Sequence, residues 1–243
     1  MVATIVATPV HVGQAKPARR PPLQNGDRLT RAEFERRYAA LPNLHKAELI
    51  EGVVQMPSPV HVEHMEADLA ILGWLSIYVA MTPCVRGGGD GSVRLDADNE
   101  VQPDALLRID ERCGGQSRVT GDGFIEGAPE LVVEISASTV SYDLHAKLNI
   151  YRRAGVQEYV VWRIYDGAID WFVLDEGRYI AQTPDAQGSY HSRLFPGLIL
   201  PAPALLAGDL AQVLATVQQG VQTPEHSAFV QRLRDLAAGV AGE

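Results

Sequence analysis

Pro129-Glu-Leu-Val-Val-Glu-Ile-Ser136 decides the fold. Leu131, Val132, Val133 and Ile135 are apolar whichever way alternate side chains point, the pattern of a central strand covered by helices on both faces. Glu134 interrupts that run. An unpaired carboxylate in such a strand is strongly disfavoured, so the face that Glu134 shares with Val132 and Ser136 must open on something that compensates it: a core Lys or Arg, or a bound cation.

Outward from this strand, the periodicity predicts an interleaved α/β chain. On the C-terminal side a helix spans about residues 139–154 and stops at Gly155, and strands follow at 157–165, 168–174 and 178–182. A Pro-rich stretch at 196–203 leads into a helix at about 205–219, and the tail from Pro224 is compatible with one more helix. On the N-terminal side, strands are expected at 92–95 and 101–109. The Gly87-Gly88-Gly89 stretch before them joins strands and lacks the GxGxxG or GxxxxGKS context of a phosphate cradle. Ser58-Pro59 opens a long helix whose Val62, Met65, Leu69, Leu72 and Val79 are expected to face the sheet. Residues 47–56 read as two short strands hinged at Gly52. Thr30-Arg-Ala-Glu33 is a capping box, with Leu29 and Phe34 as its staple, for a short helix to about Ala40. The class is α/β, an α+β mixed sheet flanked by helices, over residues 28–220. Residues 1–27 form a disordered basic arm and 221–243 a C-terminal tail.

With 46% hydrophobic residues in 243, the chain can bury the core of one globular domain. Cys84 and Cys113 are too few for a disulfide framework and form no CxxC pair, which fits a cytoplasmic location. No apolar run reaches the roughly 20 residues of a membrane span. The net charge of −9 argues against general nucleic-acid binding, since phosphate affinity comes from Lys and Arg. The charge is uneven, however. Residues 1–40 hold seven basic and three acidic groups, +4, which leaves −13 for the rest: a basic arm beside an acidic body that could concentrate divalent cations.

Three residues carry chemistry when taken together. Asp104 follows Pro103 in Val101-Gln-Pro-Asp-Ala-Leu-Leu107; because proline cannot donate to a ladder, the acid stands at a strand irregularity, suited to a cleft or merely to a turn. Lys147 lies on the helix after Glu134, four residues beyond Asp143, a spacing also met in surface ion pairs. Two acids on buried strands and a lysine from the next helix are what hydrolysis at phosphorus needs: hard oxygens for Mg²⁺ or Mn²⁺, and an ammonium to orient water or offset developing charge.

Ala47-Glu-Leu-Ile-Glu-Gly52, Val101-Gln-Pro-Asp104, Glu130-Leu-Val-Val-Glu-Ile-Ser136, Asp143-Leu-His-Ala-Lys147 and Tyr151-Arg-Arg-Ala-Gly-Val-Gln-Glu-Tyr159, in that order, resemble the Uma-two family of restriction-endonuclease-type proteins, within the PD-(D/E)XK nuclease superfamily. The resemblance spans roughly residues 30–200. It implies a restriction-endonuclease-like core and a DNA endonuclease leaving 5′-phosphates. Asp104, Glu134 and the Ile135 carbonyl would be metal ligands, Lys147 the catalytic lysine, and Glu51, or secondarily Glu48, an assisting upstream acid. Where the superfamily usually has its lysine, two residues after the second acid, this chain has Ser136; the resemblance implies that Lys147 serves instead, from the following helix. Cleavage of duplex DNA by two sites suggests a homodimer. The alternative is a catalytically degenerate domain kept for binding or assembly.

Other groups read as structural. His61 and His64 are three apart on a helix, a spacing open to a metal pair, but without an HExxH pattern or identified supporting ligands they better suit a surface or supporting role. Arg152-Arg153 suits a solvated helix face. Trp74, Trp162 and Trp171 are dispersed through core elements rather than clustered as a stacking platform.

Overall fold

The protein was analysed as a computed structural model that describes residues 21–44, 46–56, 61–137 and 139–240. In chain order the first elements are α1 (Arg31–Tyr38), β1 (Glu48–Ile50), β2 (Val53–Gln55), α2 (Val62–Met81), β3 (Val85–Gly88), β4 (Val93–Arg94) and β5 (Glu100–Val101). Next come β6 (Ala105–Ile109), β7 (Arg118–Val119), β8 (Ile125–Glu126) and β9 (Leu131–Ser136). A helix follows in three pieces: α3 (Val140–Tyr142), a π-helical segment (Asp143–Lys147) and α4 (Leu148–Ala154). The chain ends with β10 (Glu158–Arg163), β11 (Ala168–Asp175), β12 (Arg178–Ala181), β13 (Ser189–His191), β14 (Ile199–Pro201), α5 (Ala202–Leu206), α6 (Leu210–Gly220) and α7 (Pro224–Val240). None of the described helices is long and apolar enough to cross a membrane.

The expected mixed sheet is central, in the order β12-β11-β10-β9-β6-β3, with β9 and β10 parallel and the other pairs antiparallel. β9 alternates as its sequence demands. Leu131, Val133 and Ile135 enter the main core with α2, α6 and α7, whereas Val132 joins the opposite core with Ile150, Tyr151 and Tyr159. Glu134 therefore points toward the helix that follows it. A second six-stranded sheet, β2-β1-β5-β4-β8-β7, lies beyond that face, and Phe34, Leu49 and Val54 close a third cluster that also takes up Leu23. Thr30 caps α1 by accepting the Glu33 N–H. The expected basic arm lies largely outside the described residues, as does Ser58-Pro59, where the long helix was expected to open; α2 is described from Val62, with His61 as its N-cap.

Two readings change. The predicted strand over 101–109 is two strands in different sheets, because the chain crosses between them at Gln102 and Pro103. In α2 the buried stripe is Ala67, Ile71, Trp74, Leu75 and Tyr78, while Val62, Met65 and Leu69 are 61%, 59% and 66% exposed. Apolar residues occupy both stripes, so period alone does not choose between them. The aromatic ones choose, since the Trp74 indole donates to the Ile199 carbonyl (2.9 Å) and the Tyr78 hydroxyl to that of Pro196 (3.0 Å). Trp74 also meets Trp171 edge to face, consistent with the packing role expected of both. Pairing of β3 with β6 brings Cys84 beside the turn after β6, where a disulfide joins it to Cys113 (Cα–Cα 6.2 Å). The tail from Pro224 is helical, with Phe229 and Leu233 in the main core.

Glu100 makes stability depend on pH. It is buried in β5, and one carboxylate oxygen is sealed from solvent without a hydrogen bond. Burial and the neighbouring Glu35 carboxylate push its pKa up to about 7. Between roughly pH 4.5 and 7 the folded chain holds a proton that the unfolded chain releases, so stability falls as pH rises through that window and levels off above it. Glu100→Gln should remove this dependence. Urea melts at pH 5 and 8 should show the variant ahead of the parent by about 2 kcal/mol at pH 8 but not at pH 5; equal behaviour at both would mean the carboxyl is not held protonated.

Candidate active site

The crossing between sheets at Pro103 positions the first acid. Continuing the β6–β9 register (Ala105 opposite Val133) places Asp104 opposite Glu134. The carboxylate is held on both oxygens: Oδ2 accepts the Ile135 N–H (2.8 Å) and Oδ1 meets the Lys46 ammonium (3.0 Å), which also reaches Asp90 (3.2 Å). Gly89 lies so close that a Cβ there would stand 2.3 Å from the Asp104 carbonyl oxygen, so the glycine run serves close approach of the backbone.

The π-helical segment positions the lysine. Such a turn inserts a residue into the helix and is frequent at functional sites; here it spans Asp143 to Lys147, and both side chains are buried. Lys147 Nζ lies 2.9 Å from Glu134 Oε1 and 3.1 Å from Glu48 Oε2, with Asp143 Oδ1 at 4.0 Å. The lysine thus occupies the space beside Glu134, and the Asp143–Lys147 pair belongs to the interior. Asp143 is further fixed by the hydroxyls of Ser136 and Thr139, and its carbonyl accepts from Tyr159 (3.0 Å). The Tyr151 hydroxyl donates to Glu134 Oε1 (2.7 Å). Both bonds to Glu134 fall on Oε1; among the described residues none falls on Oε2.

The electrostatics are those of a site rich in negative charge. Glu134 is pushed up to about 8, first by burial and then, against the pull of Lys147, by the carboxylates of Asp104, Asp143 and Glu48. Burial disfavours the Lys147 ammonium, but Glu134, Glu48, Asp143 and Asp104 outweigh it and hold its pKa well above the lysine value. Lys46 is raised in the same way by Asp104, Glu134 and Glu48, against burial. Among the described residues, the lysines that approach Asp104, Glu134, Glu48 and Asp143 are Lys46 and Lys147, a balance that a divalent cation would correct. Hard oxygens, one of them without a hydrogen bond, and a deficit of positive charge fit such an ion.

Of the two upstream acids, the structure brings Glu48 to the cluster. Its Oε2 meets Lys147 and its Oε1 accepts the Gln102 N–H (2.7 Å), which ties β1 to the crossing before Asp104. Glu51 sits instead on the tight β1–β2 turn with φ 51°, half exposed and paired with Arg153 (3.0 Å). The Ile135 side chain is in the main core. Two residues not expected in the site approach from α2: His64, whose Nε2 lies 3.6 Å from Asp104 Oδ2, and Asp68, whose Oδ2 lies 3.4 Å from His64 Nδ1. His61, the other histidine of that pair, is exposed. The i,i+4 spacing of His64 and Asp68 was the available signal, but the face of α2 that meets the site follows from Trp74 and Tyr78 packing elsewhere.

A family model described as Uma2, "Putative restriction endonuclease", matches residues 31–203. No curated protein matches the chain. Among solved structures, the crystal structure of a putative nuclease belonging to DUF820 from Anabaena variabilis is similar, with 14% identity, a TM-score of 0.49, and coverage of 75% of this chain and 97% of that one.

Proposed function

Because the chain belongs to the Uma2 family of restriction-endonuclease-type proteins, we propose that it is a divalent-metal-dependent DNA endonuclease of restriction-endonuclease-like fold. The observation that carries the reading is the Lys147 ammonium buried between Glu134 and Glu48, with Asp104 across the sheet. Asp104, Glu134 and the Ile135 carbonyl would hold Mg²⁺ or Mn²⁺, which supplies Lewis acidity at the scissile phosphate. Lys147 has three N–H donors. Glu134 accepts one (2.9 Å), Glu48 is held as an ion pair at 3.1 Å, and Asp143 at 4.0 Å is beyond hydrogen-bonding reach, so a donor remains to orient the attacking water or meet a phosphoryl oxygen. Glu48 fixes the lysine in the assisting role first considered for Glu51. Water attacks phosphorus in line, the P–O3′ bond breaks, O3′ departs with a proton, and the product carries a 5′-phosphate. Cutting both strands of a duplex calls for two such sites, hence a homodimer.

Supercoiled plasmid incubated with the protein and Mg²⁺, Mn²⁺ or EDTA tests this reading. Nicking that requires the metal, disappears in Glu134→Ala and leaves ends ready for ligase is the expected result. Folded protein that cuts nothing with either ion would instead favour a binding role for the domain.

A further inference from the structure

We propose that His64, Asp68 and Asp104 form a second divalent-cation position that takes a transition ion such as Mn²⁺, Co²⁺ or Zn²⁺ in preference to Mg²⁺. It shares Asp104 with the nuclease site and rests on that reading only to that extent. The three side chains offer ligand atoms all within 4.8 Å of one another. His64 and Asp68 stand one turn apart on α2, so they present donors to the same side.

The contact lengths are longer than those of a tight ion pair. An imidazolium between two carboxylates would draw each N···O contact to about 2.7–2.9 Å. Here the contacts are 3.6 Å (Nε2 to Asp104 Oδ2) and 3.4 Å (Nδ1 to Asp68 Oδ2), and neither makes a hydrogen bond. One ion takes only one nitrogen of an imidazole, so only one of these contacts can be a ligand–ligand edge: bound at Nδ1, the ion would lie beside Asp68, with the third ligand atom inside the 4.8 Å set. His64 Nδ1 and Asp68 Oδ1 are also sealed from solvent without a hydrogen-bond partner, an unmet need that a cation would satisfy. Lys46 does not fill the place: its ammonium lies on Asp104 Oδ1, whereas Oδ2 faces the imidazole. A nitrogen ligand sets the preference, because imidazole suits Mn²⁺, Co²⁺ and Zn²⁺, whereas Mg²⁺ favours oxygens and retains its water.

The test is Mn²⁺ titrated into the full chain, with free ion read by electron paramagnetic resonance, for the parent, His64→Gln, Asp68→Asn and Glu134→Gln. Two ions per parent chain are expected, with His64→Gln and Asp68→Asn each weakening one of them by more than about tenfold. Glu134→Gln should spare that ion, and excess Mg²⁺ should displace the other one first. Thermal melts in EDTA confirm folding, with His64→Asn as a second replacement. Parent-like binding by the His64 and Asp68 variants overturns the proposal. A single ion that depends on Glu134 alone, in a protein that still nicks plasmid, overturns it and leaves the nuclease reading standing. A single ion that depends on His64 alone supports it and removes Glu134 as a ligand, and no bound ion at all overturns both.

Discussion

Lys147→Met should lower plasmid cleavage by about 10²- to 10⁴-fold while leaving divalent-cation binding intact or tighter. Methionine keeps most of the volume of the lysine stem and removes the ammonium that Glu134 and Glu48 share. Both acids are then buried beside each other and beside Asp143 without their nearest counter-charge, and breaking a buried pair on one side costs about 3–5 kcal/mol. The cost should depend on pH. In the parent Glu134 is pushed up to about 8 against the pull of Lys147, and without the ammonium it rises further, so at pH 9 the folded variant must hold a proton that the folded parent and the unfolded chain release, and the variant should melt much further below the parent at pH 9 than at pH 6. A divalent cation replaces the missing charge, so Mn²⁺ should raise the melting temperature of Lys147→Met by more than it raises that of the parent. Lys147→Arg serves as the control: the charge persists, but a planar fork cannot reproduce the point donor, so the fold should hold while cleavage falls. Cleavage at the parental rate by Lys147→Met would show that the lysine only balances charge.

How much of this was legible depended on whether a residue's environment is set locally. The β9 run is apolar on both faces, so its central place and the anomaly of Glu134 could be read directly. Pro103 marked a break, though not the change of sheet that it produces at Asp104. Lys147 stood out only in combination with the two acids and through resemblance, because the spacing Asp143-x-x-x-Lys147 is by itself equally that of a surface pair; the π-helical turn that buries both has no sequence signature here. Glu48 and Glu51 differ by three residues, and the choice between them turns on where β1 ends and its tight turn begins, the least certain feature of any short strand. His64 and Asp68 were obscured because α2 has two apolar stripes, and only the distant partners of Trp74 and Tyr78, at Ile199 and Pro196, select the one that packs. The hairpin of β7 and β8, with two residues per strand, carries too short a pattern to register.

Asp104→Asn should be the most damaging single change for function and among the mildest for the fold. An asparagine oxygen can still accept the Ile135 N–H, so the tie between the sheet crossing and β9 survives. One buried negative charge disappears from a cluster that holds too many, which offsets the loss of the Lys46 contact. In EDTA the variant should therefore melt within a few degrees of the parent. With metal the two should separate, because ligand binding to the folded state stabilises by RT ln(1 + [L]/Kd), about 2.7 kcal/mol at one hundred times Kd. Among the described residues Asp104 is the carboxylate common to the Glu134 side and the His64 side, so its replacement would remove a ligand from both proposed positions, whereas Glu134→Gln or His64→Gln would remove one. The Mn²⁺-induced rise in melting temperature should vanish in Asp104→Asn and be only partly lost in either of the others. Cleavage should fall beyond detection, since even an outer partner of a metal ligand is worth about 10- to 100-fold in affinity or activity. An Asp104→Asn protein that keeps the full Mn²⁺ shift would mean that the cation is held elsewhere, with Asp104 there only to anchor β9 through its bond to Ile135.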